Sequence, residues 1–259
     1  MTLQAVLEAT AARLDDAGLF YGHGTDNPWD EAVALVLAVT QAPDDAAALE
    51  RPVTAAALAQ IEALVDRRIR ERIPLAYLLG EWSYLGLPFY VAPEVLIPRS
   101  PMGHWLAAHG SQWLPRSPRR IVDLCTGSGC LGIVAALAFP EAELILTDLD
   151  LKALAVAGRN VRRHGLAERT TLLCLDGVQG LAPQRAFDLV LCNPPYVNER
   201  DMAALPAEYR AEPVHALAAG RDGLAVLQPI LDALPGLLAP RGLFLGEVGH
   251  SAAALARAR

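Results

Sequence analysis

Phe187-Asp188-Leu189-Val190-Leu191-Cys192 runs without a break into Asn193-Pro194-Pro195-Tyr196. The first six residues are mostly apolar, bounded by turn residues and too few for a helix, which is the pattern of a buried strand. Asn-Pro-Pro then stops the strand, because each proline fixes its own φ and biases the residue before it toward extended backbone. A stiff turn at the carboxyl end of a buried strand is where open α/β sheets place their ligand chemistry. Here it offers the Asn193 amide and neighbouring backbone carbonyls, a set of acceptors suited to an NH2 group. A simple Asn-Pro loop is the plainer alternative.

On either side of that strand, from Arg120 onward, strands and helices alternate, as in a parallel sheet with crossover helices. The expected strands are Ile121–Cys125, Leu144–Asp148, Thr171–Asp176, Phe187–Cys192 and Leu243–Glu247. Helices are expected after Gly129 through Leu137, from Leu151 to Arg163 and from Gly223 to Leu238. The first turn is Thr126-Gly127-Ser128-Gly129, whose glycines let backbone pass close under a ligand.

Gly127-x-Gly129-x-x-Gly132 has the dinucleotide-binding spacing, and Asp148 stands 21 residues after its first glycine. A nicotinamide enzyme is therefore one reading. Three features favour S-adenosylmethionine instead. Asp123 precedes the loop, where it could face an ammonium; Asp176 ends the third strand, where an adenine amino group could be met; and Asn193-Pro194-Pro195-Tyr196 has no part in hydride transfer. Asp148 is placed to accept hydrogen bonds from a ribose diol.

The amino-terminal third is helical in pattern. Leu3, Val6, Leu7 and Leu14 recur at helical spacing, and Asn27-Pro28 reads as an N-cap with proline in the first turn of a helix through Thr40. Thr54 opens a third helix through Arg72, whose polar face carries Arg67, Arg68, Arg70 and Arg72; it reads as a solvated face, with a binding patch as the alternative. The Tyr21–Glu31 loop, rich in aromatic and polar groups, is either a recognition surface or an elaborate cap. Trp82–Gly86 and Pro88–Val91 form a hairpin around Gly86 that connects the two regions. The domains expected are 1–76 (helical, substrate-recognising), 77–100 (connector) and 101–259 (catalytic).

Composition narrows the classes. The chain has 259 residues, 53% hydrophobic, enough for a packed core. It holds no apolar run near the ~20 residues of a membrane span, and its amino terminus lacks a basic export region. Cys125, Cys130, Cys174 and Cys192 read as small core residues of a reduced, cytoplasmic protein, and neither they nor the histidines have metal-ligand spacing. A net charge of −7 disfavours a large nucleic-acid surface and suits a basic protein partner.

Asp-x-Cys-Thr-Gly-Ser-Gly-Cys from Asp123, the aspartate of the second strand and Asn-Pro-Pro-Tyr together resemble class I methyltransferases of the HemK type, which methylate protein glutamine. Ile97-Pro98-Arg99 and Glu212-Pro213…Gly220-Arg221-Asp222-Gly223-Leu224 carry the same likeness. Arg99-Ser100-Pro101 and the Tyr21–Glu31 loop resemble the PrmB branch, whose target is a glutamine of large ribosomal subunit protein three. The resemblance implies a Rossmann-like fold, S-adenosylmethionine as cofactor and that ribosomal protein as partner, free or in the assembling subunit, with no direct DNA binding.

It also implies site residues. Asn193, Pro194, Pro195 and Tyr196 would handle the glutamine amide. Asp123, Thr126, Gly127, Ser128, Gly129, Asp148, Asp176, Gly177 and Asn193 would hold the cofactor. Asp176-Gly177-Val178 departs from the family's Asp-Leu-Phe, which puts the Gly177 contact in doubt. By topology, apart from the resemblance, Glu247 at the carboxyl end of the fifth strand also points toward the site, with a plain structural role as its alternative. The family continues into two further strands, so the sheet is expected to lack carboxyl-terminal strands and to leave strand five as an open edge. The alternatives carried with this reading are a release-factor glutamine methyltransferase, an adenine-N6 methyltransferase of nucleic acid and a non-catalytic ribosome-assembly factor.

Overall fold

The computed structural model describes residues 1–114 and 116–258. They fall into two compact units, one made of Met1–Trp82 and Pro206–Ala211, the other of Ser83–Leu205 and the chain from Glu212 onward.

The first unit packs α1 (Leu3–Asp16), α2 (Pro28–Thr40), α3 (Ala55–Glu71) and the short α4 (Leu75–Leu79). The caps are those that the sequence expects. The Asn27 side chain accepts from the Asp30 amide with Pro28 in the first turn of α2, and Thr54 accepts from the Ala57 amide. Leu3, Leu7 and Leu14 of α1, Leu35 and Val36 of α2 and Ile61 and Val65 of α3 make its core. One expectation fails. Arg68 is not on a solvated face but is 1% exposed, because two buried carboxylates share it: Glu31, at 2.6 Å, and Glu208 of the 206–211 segment, at 3.7 Å. The Tyr21–Glu31 loop is largely an internal lock. His23 packs on the Tyr209 ring, Thr25 donates to Glu31 at 3.1 Å, and a Cβ on Gly24 would run into Trp82.

A hairpin of β1 (Glu81–Tyr84) and β2 (Leu87–Tyr90) turns at Leu85-Gly86, both with positive φ. Next comes α5 (Pro101–Trp113), a helix the sequence reading leaves out. Its signal is present all the same, since Ser100-Pro101 repeats the cap-plus-proline logic of Asn27-Pro28.

The second unit then follows the expected alternation. Its elements are β3 (Arg120–Leu124), α6 (Cys130–Ala138), β4 (Glu143–Asp148), α7 (Leu151–Arg163), β5 (Thr170–Cys174), β6 (Phe187–Cys192), α8 (Glu199–Ala204), α9 (Leu227–Leu237), β7 (Leu238–Gly246) and α10 (Ala252–Ala258). The strands form one parallel sheet in the order β5-β4-β3-β6-β7. Alternate strand residues face opposite layers: Ile121, Leu144, Leu146, Leu189 and Leu191 join α6 and α7, while Val122, Leu124, Val190 and Cys192 meet Ile230 and Leu237 of α9. All six residues of β6 are buried.

Three boundaries differ from expectation. The helix expected at Gly223 begins at Leu227, since Gly223 has φ +78 and a Cβ there would collide with the Tyr196 carbonyl. The last strand begins at Leu238, pairing with Phe187 before an irregularity at left-handed Arg241 restores the register at Leu243. The third strand stops at Cys174, leaving Asp176 in the following turn. That strand lies at a sheet edge, so Cys174 is exposed and not a core residue.

Candidate active site

Order at the carboxyl end of β3 begins with a buried carboxylate. Asp123 Oδ2 accepts from the Thr126 hydroxyl at 2.5 Å and from the Gly132 amide at 3.0 Å. Burial pushes the Asp123 carboxyl up to about 7; the two hydrogen bonds work against that rise and the Asp148 charge adds to it. Gly127 and Gly129 take the left-handed backbone that the turn needs. Gly132 permits close helix–sheet approach, because a Cβ there would overlap Leu146 and press on Asp123.

The loop is pinned from outside as well. Asp148 accepts from the Gly127 amide through Oδ2 and from the Asp150 amide through Oδ1, at 2.9 and 3.0 Å. Asn160, fully buried on α7, donates to Ser128 O and Tyr90 O and accepts from the Tyr90 amide at 2.7 Å. Asn160 thereby ties the hairpin to the glycine loop. Sequence reasoning misses this residue, whose only signal is one polar side chain on an otherwise apolar face of α7.

These elements surround a cleft with its mouth open to solvent. Cys125–Ser128, Asp148–Leu149, Leu175–Gly177, Asn193 and Pro195 line it from the strand ends. Glu94–Ser100 forms another wall, and His215, Ala216 and Val226 contribute from the following loops. Of the residues the sequence points to, Thr126, Gly127, Ser128, Asp148, Asp176, Gly177, Asn193 and Pro195 are thus brought to one space. Asp123, Gly129, Pro194 and Tyr196 are not among the lining residues. Asp123 acts from beneath the loop, Gly129 caps α6, Pro194 is buried, and the Tyr196 hydroxyl donates to Glu247 at 2.8 Å.

The sequence reading overlooks most of the Glu94–Ser100 wall. Its rigidity comes from Arg99, whose guanidinium grips Glu212 with two hydrogen bonds of 2.5 and 2.7 Å. Glu212 also accepts from the Ile97 amide. Glu212 is 113 residues away from Arg99 in the chain, a closure visible only in three dimensions.

The donor set fits S-adenosylmethionine. The space a Cβ would take at Gly127 is open, so the loop presents bare backbone. Leu149, Leu175 and Val226 give the lining an apolar part, and the Asp148 and Asp176 carboxylates belong to the same lining. The Asn193 side chain makes no hydrogen bond to any other described residue, so its amide is free for a ligand. Among the described residues no group of three or more His, Cys, Asp or Glu side chains is placed to hold a metal ion.

Parallel strand order, glycine loop and strand-end cleft define a class I S-adenosylmethionine-dependent methyltransferase. Residues 111–226 match the methyltransferase small domain, and residues 5–80 match the PrmC N-terminal domain. A ribosomal protein uL3 glutamine methyltransferase from Bordetella pertussis is 44% identical, over 96% of this chain and 85% of that protein. One from Neisseria gonorrhoeae is 40% identical, over 96% and 84%. The fold is shared with the hMettl16 catalytic domain, solved in complex with the MAT2A 3′UTR hairpin 6, at a TM-score of 0.51 and 17% identity over 79% of this chain and 72% of that one. The chain belongs to the ribosomal protein uL3 glutamine methyltransferase family.

Proposed function

We propose that this chain methylates the side-chain nitrogen of one glutamine of ribosomal protein uL3. The observation that carries the reading is the free amide of Asn193, held at the cleft by a buried strand and two buried prolines. An amide nitrogen is a poor nucleophile because its lone pair is delocalised into the carbonyl. Asn193 Oδ1 and the Pro194 carbonyl accept the two N–H groups of the glutamine and favour a pyramidal nitrogen with its lone pair directed at the donor. When bound, S-adenosylmethionine would supply a methyl group on a sulfonium: the C–S bond breaks as the N–C bond forms, its electron pair stays on the departing thioether, and the surplus N–H proton passes to water at the open mouth of the cleft. Acceptors fixed before the reaction stabilise charge as it develops and hold the attack in line. Thr126, Gly127, Ser128, Asp148, Asp176 and Gly177 are the residues assigned to hold the donor, with Asp123 and Gly129 shaping the loop beneath it. Pro195 and Tyr196 complete the amide site.

The helical region, residues 1–76, is assigned to substrate recognition. Phe20 and Trp29, 39% and 47% exposed, are its open aromatic contacts. No described helix is long and apolar enough to cross a membrane. The reading places the work in the cytoplasm, on uL3 before or during subunit assembly.

The test is methyl transfer from labelled S-adenosylmethionine to unmethylated uL3, free and in precursor subunits, with release factor and DNA in parallel. Label on a single uL3 glutamine is expected. Label only on release factor or DNA overturns the reading, and binding of precursor subunits without turnover makes the chain an assembly factor. An Asn193→Ala variant should lose about 3 kcal/mol of transition-state stabilisation, roughly 100-fold in kcat.

A further inference from the structure

Glu247 follows β7 and joins two parts of the catalytic unit that the sheet alone does not connect. Its Oε2 accepts from the Ser100 hydroxyl at 2.5 Å, and its Oε1 accepts from the Tyr196 hydroxyl at 2.8 Å. Both lie at or near the normal O–H···O distances, the first in the charge-assisted range. Among the described residues no cation pairs with this carboxylate, so the two hydroxyls are its protein partners. The Glu247 amide separately donates to Cys192 O at 2.9 Å, which continues the β6–β7 ladder to the residue before Asn193. The backbone thus completes the sheet, and the side chain is left for another task.

Each hydroxyl is itself fixed. Ser100 caps α5 by accepting from the Met102 amide, and its carbonyl accepts from Tyr84 at 2.5 Å. The Tyr84 oxygen in turn accepts from the Gly103 amide at 3.0 Å. Around Tyr196 the space is cut close. A Cβ on Gly249 would press into its ring, and one on Gly223 would collide with its carbonyl. Ser100 lines the cleft, while Tyr196 ends the Asn193–Tyr196 turn. One carboxylate therefore fastens the turn carrying the amide acceptors to the Glu94–Ser100 wall.

We propose that Glu247 is a positioning residue for methyl transfer, holding Tyr196 and through it the Asn193–Pro195 acceptors at a fixed distance from the Ser100 wall. The assignment rests on the glutamine-amide reading of that turn. Removing the clamp leaves the cofactor loop untouched and loosens the acceptors alone, so the loss falls on kcat and not on cofactor affinity.

Glu247→Gln, Tyr196→Phe, their double variant and Ser100→Ala test this in the full chain. Each is measured for kcat and KM on uL3, for S-adenosylmethionine affinity by calorimetry, and for amide hydrogen exchange across 196–198. Glu247→Gln should lower kcat roughly 10- to 100-fold with cofactor Kd within about twofold, and the double variant should be no worse than the poorer single one. Exchange at 196–198 should accelerate while exchange across 126–132 stays as in the wild type. Unchanged kcat, multiplicative losses in the double variant, or weakened cofactor binding in proportion to kcat would each overturn the proposal. Ser100→Ala keeps the test open if Glu247→Gln folds poorly, since it cuts one arm and leaves the carboxylate in place. If wild-type protein puts no methyl on uL3, the substrate reading fails, and hydrogen exchange still decides whether Glu247 holds the turn.

Discussion

The two units bury carboxylates on opposite plans. In the helical unit Glu31 and Glu208, 3% and 2% exposed, meet at Arg68, which is buried with them. Arg72 adds a 3.3 Å contact to Glu208, and Phe20 donates its amide. In the sheet unit Asp123 is as deeply buried, and among the described residues its partners are a hydroxyl of the adjoining loop and a backbone amide of α6, with no cation. Burial raises both carboxyls, but the amide and arginine partners hold Glu208 below the usual range, whereas Asp123 stays near 7. The difference tracks sequence distance. An arginine from another helix makes three separate segments (α2, α3 and 206–211) agree on one geometry. A local amide only shapes a turn.

The largest effect expected from this contrast is in the helical unit. Arg68→Ala leaves two buried carboxylates without their shared cation and should cost about 3–5 kcal/mol, read as a fall in denaturant midpoint. A loss under about 1 kcal/mol would mean that water or Arg72 replaces the guanidinium and that the network does not fix the geometry. In the sheet unit the comparable lesion is steric. Gly132→Ala drives a methyl into Leu146 and Asp123, and should cost about 1–3 kcal/mol. It should also weaken cofactor binding, because the strain falls on the residue beneath the glycine loop.

Opposite shifts give opposite pH dependences. The raised Asp123 carboxyl binds a proton more tightly in the folded state. Its stabilisation is fully present below the unfolded value, about 3.9, and is lost as pH rises through about 7. The lowered Glu208 contributes above its unfolded value, about 4.3, and loses that contribution as pH falls through its folded one. Between pH 4 and 7, wild type should therefore lose stability relative to Asp123→Asn, by on the order of 3 kcal/mol. The Glu208→Gln comparison should gain in the wild type's favour as pH leaves the acid range. Parallel slopes for the two pairs would erase the distinction between the units.

How much of this was legible follows the same line. Phe187–Cys192, Ile121–Leu124 and Leu144–Asp148 read correctly as buried strands because burial on both faces gives short apolar runs that need no partner to be recognised. Asn27-Pro28 and Thr54 read correctly because capping is local. The glycine loop, Asp148 and Asn193 could be placed at strand ends, and the cleft gathers them there. What stayed hidden depends on chain segments meeting. Arg68 looked solvated because its carboxylates lie 37 and 140 residues away. The Arg99–Glu212 pair and the Asn160 bridge were invisible for the same reason. Asp123 shows the finer limit: its strand position was legible, but the partners of its Oδ2, the Thr126 hydroxyl and the Gly132 amide, were not.

The smallest effect isolates burial from distance. Arg13 Nη2 lies 2.6 Å from Asp66 Oδ1, the separation found between Arg68 and Glu31. The side-chain exposures differ: 46% and 48% for the first pair, 1% and 4% for the second. At the surface, water competes for both ions, salt screens them, and holding two long side chains in one geometry costs entropy. Arg13→Ala should therefore change stability by only about 0.2–1 kcal/mol, shrinking further in high salt. The measurement is a denaturant midpoint at low and high ionic strength beside that of Arg68→Ala. Equal losses would show that geometry alone sets the strength of these pairs. A several-fold gap, with salt dependence confined to Arg13, would show that the interior is what turns the same contact into a determinant of the fold.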